Sequence, residues 1–405
     1  MTESIMDIPR TIKESFHAWW NFDIQEDGLK AQNRLYDKLP FNRVANEDEL
    51  KAITEPKKVL FNSLVDVNHP SFKSPVKINT VEIGNYPKSA SDSNNETSIV
   101  CSHGYAAGTS FFINNMETFG SIPKTRFYGI DMLGMGLSER VKFPHINTKQ
   151  TVENRVNEAE NFFIDALEAW REAKGINKMI LVGHSLGGYV STVYALRYPQ
   201  HVKKLILVSP IGFPRNPTIA TQESLNRDLS QAEHQDRVHE FSDVPETKTR
   251  KFAKNLVNFL WDRNYSPFDI LRKTYFFAPL LVSSYSLRRF SSLSPDLQRD
   301  LYHYIYAISV QKASSEYSIT HLLSFGAYAR MPLIDRIPNL DDSIPITFLH
   351  GNIDWVTGGF EAYQKLKSMG RTNVKYFETN KSGHHLYLDN PKEFNEIISS
   401  ECKSN

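Results

Sequence analysis

The sequence predicts an α/β architecture, a mostly parallel eight-stranded sheet with helices on both faces. Three observations carry it. Eight short apolar, β-branched runs recur along the chain, and most alternate with helical patterns. One of them leads through Gly183-His184-Ser185-Leu186-Gly187 into a helix. The composition, 40% hydrophobic and 23% charged over 405 residues, suits one large α/β domain with insertions or two modest domains.

The strand candidates are Val59 to Val67, Val76 to Ile83, Ser98 to His103, Phe127 to Asp131, Lys178 to Val182, Leu205 to Ser209, Ile346 to Leu349 and Val374 to Phe377. The first two adjoin each other and later ones are separated by helices. The clearest helix runs from about Thr151 to Lys174. Val152, Val156, Ala159, Phe163, Ala166, Leu167 and Trp170 repeat at helical spacing, and Gly175 supplies the stop. Tyr189 to Tyr198 reads as another helix. Ser89 to Thr97 is polar and reads as a surface loop.

Residues 1–57 form an N-terminal extension, 58–210 the first part of the core and 337–405 its second part. Residues 211–336 break the alternation between the sixth and seventh strands. They are rich in Phe, Tyr, Arg and Ser and mostly helical in pattern. They read as a helical cap, with a plain spacer as the other reading.

Lysine plus arginine number 47 and aspartate plus glutamate 46, a net charge of +1, which argues against a generic nucleic-acid binder. Two cysteines, Cys101 and Cys402, argue against a disulfide scaffold and for a reducing compartment. No secretory signal and no apolar run of about 18 residues is found, so an intracellular protein is expected, neither secreted nor membrane-spanning.

Strand, Gly-X-Ser-X-Gly, helix is a nucleophile elbow, which holds Ser185 up on a sharp turn. The N–H of Leu186 then lies at a helix N-terminus, where negative charge is favoured. In the α/β-hydrolase fold the chain order is serine, acid, histidine. Asp354 follows the strand Ile346 to Leu349, and His384 follows Val374 to Phe377. All three therefore meet at the C-terminal edge of one sheet. Ser185 would attack, His384 would carry the proton and Asp354 would fix the imidazole. His385 is the serious competitor as base. His184 should point away, and His350 reads as a packed residue. His103-Gly104-Tyr105 follows the third strand, and the N–H of Tyr105 is the second oxyanion donor. Asp131 to Ser138 reads as a structural turn bordering the pocket.

These pieces resemble the α/β-hydrolase superfamily over roughly Val59 to Ile398. More narrowly the chain resembles the alpha/beta-hydrolase-domain-containing 4/5 subfamily, including its fungal members. The similarity rests on Phe127 to Gly136, Gly183 to Gly188, Leu205 to Pro214, Gly351 to Trp355 and Gly383 to Pro391. It implies acyl-lipid chemistry: lipases on phospholipids, N-acyl phospholipids or cardiolipin, and lysophosphatidic acid acyltransferases. One branch is a lipase co-activator without the serine, and Ser185 departs from it. A small-ester hydrolase is a further reading, and Ser185 in place of Asp disfavours an epoxide hydrolase. The subfamily shares a His-X4-Asp spacing with glycerolipid acyltransferases, met here by His384 and Asp389. Asp389-Asn390-Pro391 also reads as a helix cap. No metal or organic cofactor is implied, and acyl-CoA would enter only as a substrate.

Two segments offer membrane contact. Trp19 and Trp20, with Ile12 and Phe16, lie near one helical face. The resemblance implies a tryptophan-rich membrane or lipid-droplet anchor there, and core packing is the other reading. Phe276 and Phe277 centre a second apolar stretch, flanked by Arg272-Lys273 and Arg288-Arg289. It reads as a membrane contact, an acyl-tunnel wall or a core helix. The expected partner is phospholipid at a membrane or lipid-droplet surface, with mitochondrion, lipid droplet and cytoplasm all open as locations.

Overall fold

The computed structural model describes residues 6–88, 96–215, 266–324 and 328–403. Most of the loop expected at Ser89 to Thr97, and residues 216–265 of the expected cap, lie outside the described residues.

Nine strands form one sheet: β1 (Asn42–Val44), β2 (Lys57–Val67), β3 (Val76–Tyr86), β4 (Thr97–Ser102), β5 (Thr125–Ile130), β6 (Met179–His184), β7 (Val202–Val208), β8 (Ile346–Gly351) and β9 (Val374–Thr379). Their order is β1-β2-β3-β5-β4-β6-β7-β8-β9. β3 runs antiparallel to both neighbours, β2 and β5, and every other pair is parallel. The count corrects the expected eight. The added strand, β1, is a three-residue edge strand containing Asn42 and Arg43, too short and polar to stand out as an apolar run. The long insertion therefore follows β7.

The central strands are apolar along their whole length because helices cover both faces. Period-two alternation sends their residues into two separate cores. Val100, Leu181 and Leu207 face one core with Phe162, Trp170 and Tyr189. Ile99, Cys101, Val182 and Ile206 face the other with Phe112, Phe119 and Tyr387. Cys101 and Cys402 are both free and buried.

The helices that bear on the site are α1 (Ile12–Asn21), α2 (Ile24–Tyr36), α3 (Val152–Ala173), α4 (Leu186–Arg197), α5 (Pro267–Lys273), α6 (Ala278–Arg289), α7 (Pro295–Val310) and α8 (Pro391–Lys403). Thr151 caps α3 by accepting the Asn154 N–H. Gly175 leaves the helix with φ of 65°. Trp170 is fully buried, and its indole N–H donates to Thr80 of β3 at 2.9 Å. That bond ties α3, the longest of these helices, to the sheet.

The N-terminal extension packs on the inserted helices. A capping box at Thr11 and Glu14 opens α1. Ser15 Oγ then donates to the Phe276 carbonyl at 2.5 Å and accepts the Leu280 N–H at 3.0 Å. Buried Asp300 of α7 receives Arg34 at 2.7 Å and Lys38 at 2.5 Å. Among the described residues no helix is long and apolar enough to cross a membrane.

Candidate active site

β6 ends at His184 and α4 begins at Leu186, so Ser185 alone makes the turn. Its backbone adopts φ 54° and ψ −114°, an unusual conformation for a residue with a side chain. The neighbours hold it there. Its N–H donates to Val208 at 2.9 Å, and its carbonyl accepts from Tyr189 at 3.1 Å. The turn needs its flanking glycines. A Cβ on Gly183 would lie 2.4 Å from the Gly187 carbonyl oxygen. One on Gly187 would lie 2.6 Å from the carbonyl oxygens of Ser102 and His103.

His384 lies on the loop after β9. Its Nε2 is 2.9 Å from Ser185 Oγ, and its Nδ1 is 3.2 Å from Asp354 Oδ1. Asp354 lies in the turn after β8, where its N–H donates to Gly351 at 3.1 Å. Its carboxylate also accepts the Val356 N–H at 3.0 Å and the Ser209 hydroxyl. Burial pushes the Asp354 carboxyl up, but donation from His384, Ser209 and Val356 outweighs it, so the net displacement is downward. An ionised Asp354 orients His384 as an Nδ1–H tautomer and leaves Nε2 to accept from Ser185.

The other histidines occupy different places. His385 faces the cavity beside the site. Burial, then the charges of His384 and Arg289, push it down to about 3. His184 was expected to turn away from Ser185. It packs beneath the His384 loop, with its ring centroid 4.8 Å from that of His384. Its Nε2 lies 2.9 Å from the His384 carbonyl. Burial keeps this imidazole neutral, so Nε2–H is the donor. His350 Nδ1 stands 3.8 Å from Asp354 Oδ2, and burial pushes its imidazole down to about 4.

The Gly104-Tyr105 turn runs directly beside the serine. A Cβ on Gly104 would lie 3.0 Å from Ser185 Cβ. Neither the Tyr105 N–H nor the Leu186 N–H has an acceptor among the described residues. Asp131 organises the next turn by accepting from the Thr109 N–H at 2.6 Å, Asn79 at 2.7 Å and the Leu137 N–H at 2.8 Å. Beside these turns lies a cavity of about 350 Å³. Ala106, Phe111, Leu281, Tyr285, Ile305 and His385 are among its lining residues.

Asp389 does not cap α8. Asn390 does, accepting the Glu393 N–H at 3.3 Å. Pro391 starts the helix, so the side chain immediately before it is the one in range. Asp389 instead accepts the Gly383 N–H at 2.9 Å and pairs with Arg289 at 2.7 Å. Trp19, Trp20, Phe276 and Phe277 belong to one aromatic cluster bridging α1 and the inserted helices. Phe16 joins them, with ring centroids 6.2 Å from Trp20 and 6.0 Å from Phe276. Trp20 and Phe277 are exposed, while Trp19 and Phe276 are half-buried. Leu281 and Tyr285 of α6 are also exposed and line the cavity, while the aromatic cluster lies on α1 and on the Tyr275–Phe277 turn that precedes α6.

Sequence reasoning missed the site roles of three residues. Ser209 holds Asp354; its signal was a serine at the end of a strand on the same sheet edge. Trp355 places its ring 5.0 Å from that of His384. Arg289 reaches Asp389 from the insertion, a contact no local pattern announces.

A model of the alpha/beta hydrolase fold family matches residues 97–391. A rice (Oryza sativa subsp. japonica) protein described as a probable 1-acylglycerol-3-phosphate O-acyltransferase is 34% identical over 316 residues, covering 76% of this chain and 68% of that protein. A human (Lyso)-N-acylphosphatidylethanolamine lipase is 30% identical, covering 77% of this chain and 81% of its own length. The human 1-acylglycerol-3-phosphate O-acyltransferase ABHD5 is 30% identical, covering 82% and 84%. Among solved structures, naproxen esterase from Bacillus subtilis superposes with a TM-score of 0.53 at 15% identity, covering 94% of this chain and 99% of that one. That likeness speaks to the fold alone. The chain belongs to the alpha/beta hydrolase family, and within it to the alpha/beta-hydrolase-domain-containing 4/5 subfamily.

Proposed function

We propose that the protein is a serine-dependent acyl hydrolase acting on glycerophospholipids. The observation that carries this is the Ser185–His384–Asp354 relay beside a largely apolar cavity of about 350 Å³, two of whose lining residues, Leu281 and Tyr285, are exposed on α6. An acyl chain fills such a cavity, and its ester carbonyl comes to rest at Ser185. Ser185 Oγ attacks that carbonyl while His384 Nε2 takes its proton. The Tyr105 and Leu186 N–H groups receive the oxyanion. His384 then protonates the departing lysophospholipid oxygen. Water, activated by His384, releases the fatty acid from Ser185.

The inserted helices act as the cap over this chemistry. Trp19, Trp20, Phe276 and Phe277 bring the molecule to the lipid surface, in keeping with the enrichment of aromatic rings at the headgroup boundary. The relatives named as lipases support the hydrolytic reading. Those named as 1-acylglycerol-3-phosphate O-acyltransferases favour a second one. There the same acyl-enzyme forms from acyl-CoA, and the hydroxyl of lysophosphatidic acid replaces water.

The test is mass spectrometry of lipids after incubation with the protein and its Ser185→Ala variant. The mixture holds cardiolipin, phosphatidylcholine, phosphatidylethanolamine, lysophosphatidic acid and acyl-CoA. Serine-dependent lysolipid and free fatty acid are expected, and the lysolipid names the headgroup. Phosphatidic acid formed at the expense of acyl-CoA replaces hydrolysis with transfer. Lipid products that form equally with Ser185→Ala overturn both, and no products from either protein leave a binding protein.

A further inference from the structure

We infer that Asp389 is a latch: its carboxylate clamps the inserted helix α6 to the loop that carries His384, so that the two move together. The inference rests on the proposed role of His384 and gives Asp389 a positioning task in place of a chemical one.

The two oxygens of Asp389 serve two different bodies. Oδ2 accepts the Gly383 N–H at 2.9 Å, one residue before His384. Oδ1 receives Arg289 Nη2 at 2.7 Å, and Arg289 is the last residue of α6. The pair is largely shielded, with side chains 25% and 22% exposed, so solvent competes with it only in part. The His384 loop is thus held on both flanks. Behind it, His184 donates from the sheet edge to the His384 carbonyl at 2.9 Å. In front, the Gly383 N–H depends on a carboxylate that α6 also grips. The first anchor belongs to the rigid elbow; the second travels with the insertion.

α6 is placed to register substrate. Leu281, Val282 and Tyr285 line the cavity. Leu281, Tyr285 and the preceding Phe277 also form part of the exposed apolar surface. Phe290, directly after Arg289, is buried with its ring 6.2 Å from that of Phe111, another lining residue. A chain entering the cavity, or lipid meeting the outer face, pushes on α6. The Arg289–Asp389 pair carries that displacement to the His384 loop.

Hydrogen–deuterium exchange of the full chain tests the latch without requiring turnover, so its outcome is separate from that of the Ser185→Ala lipid assay. Arg289→Gln and Asp389→Asn are each expected to raise exchange in both 278–289 and 380–389 roughly fivefold, the scale of a partly shielded ion pair. The double variant goes no further than the stronger single, and Arg289→Lys stays within about twofold of wild type. Four exchange outcomes overturn the inference: a variant that loosens only its own segment, an additive double variant, no change in either segment, or an equal rise in β6. Phospholipid turnover should fall in step for Arg289→Gln and Asp389→Asn and recover in Arg289→Lys. Loss in Asp389→Asn alone would make its carboxylate a chemical group and sink the latch.

Discussion

Gly104→Ala tests whether the turn beside Ser185 donates to the oxyanion. The added Cβ falls 2.9 Å from His184 Nδ1 and 3.0 Å from Ser185 Cβ. Non-bonded carbons rest at about 3.5–4.0 Å, so relief requires a displacement of roughly 0.5 Å. Neither neighbour is free to yield. His184 is fixed by its bond to the His384 carbonyl and lies against the His384, His385 and Tyr387 rings. Ser185 is fixed by its N–H bond to Val208. The Gly104-Tyr105 turn therefore moves, and its backbone is not in the left-handed region, so alanine adds no torsional strain of its own. A donor at about 2.9 Å from the oxyanion would retreat to about 3.4 Å, beyond the useful range. The expected loss is roughly 10²-fold in kcat on a short-chain p-nitrophenyl ester, with full removal of one donor, about 10³-fold, as the ceiling. KM should change little, because the oxyanion exists only in the transition state. The assay pairs steady-state kinetics with a thermal melt. A folded variant with wild-type kcat would show that the Tyr105 N–H is not a donor.

Four further outcomes are expected. Asp354→Asn should lower kcat by about 10⁴-fold with the fold retained, through loss of the productive imidazole tautomer; a change under tenfold would remove Asp354 from the relay. Leu281→Trp narrows the cavity, so the ratio of palmitoyl to butyryl ester turnover should fall at least about fivefold, and an unchanged ratio would show that the chain lies elsewhere. Trp20→Ser combined with Phe277→Ser should weaken binding to phosphatidylglycerol-containing vesicles at least about tenfold while leaving the melt intact, since both rings are exposed; undiminished binding in flotation would reject this surface as the contact. Burial pushes His303, His321 and His350 down to about 4, so the unfolded chain binds more protons than the fold below the ordinary histidine value of about 6.5. Stability is full above that value, declines as pH falls through it, and the loss is complete near 4. A urea midpoint identical at pH 7 and pH 5 would contradict this.

Much of the fold was legible because central strands buried on both faces announce themselves as apolar runs, and the one elbow names its own geometry. β1 was not legible, because three residues at a sheet edge need neither apolarity nor length to pair with β2. Ser185, Asp354 and His384 could be picked out because each follows a parallel strand, and parallel strands end at a common edge. Local order favoured His384 but left His385 as a competitor, since adjacent loop residues differ only in which way the backbone turns them. The structure sets His384 2.9 Å from Ser185 and turns His385 into the cavity wall.

By itself the sequence determined the central strands, the elbow, the candidate chemistry and the subfamily, because these rest on periodicity and on short contiguous motifs. Only the tertiary structure decided what Asp389 touches, that Ser209 holds Asp354, and that α1 and the Tyr275–Phe277 turn before α6 share one aromatic cluster. Those contacts join residues far apart in the chain, as with Ser15 and Leu280, 265 positions apart. No local preference encodes them. They follow from how the extension and the insertion pack once the sheet has brought its loops together.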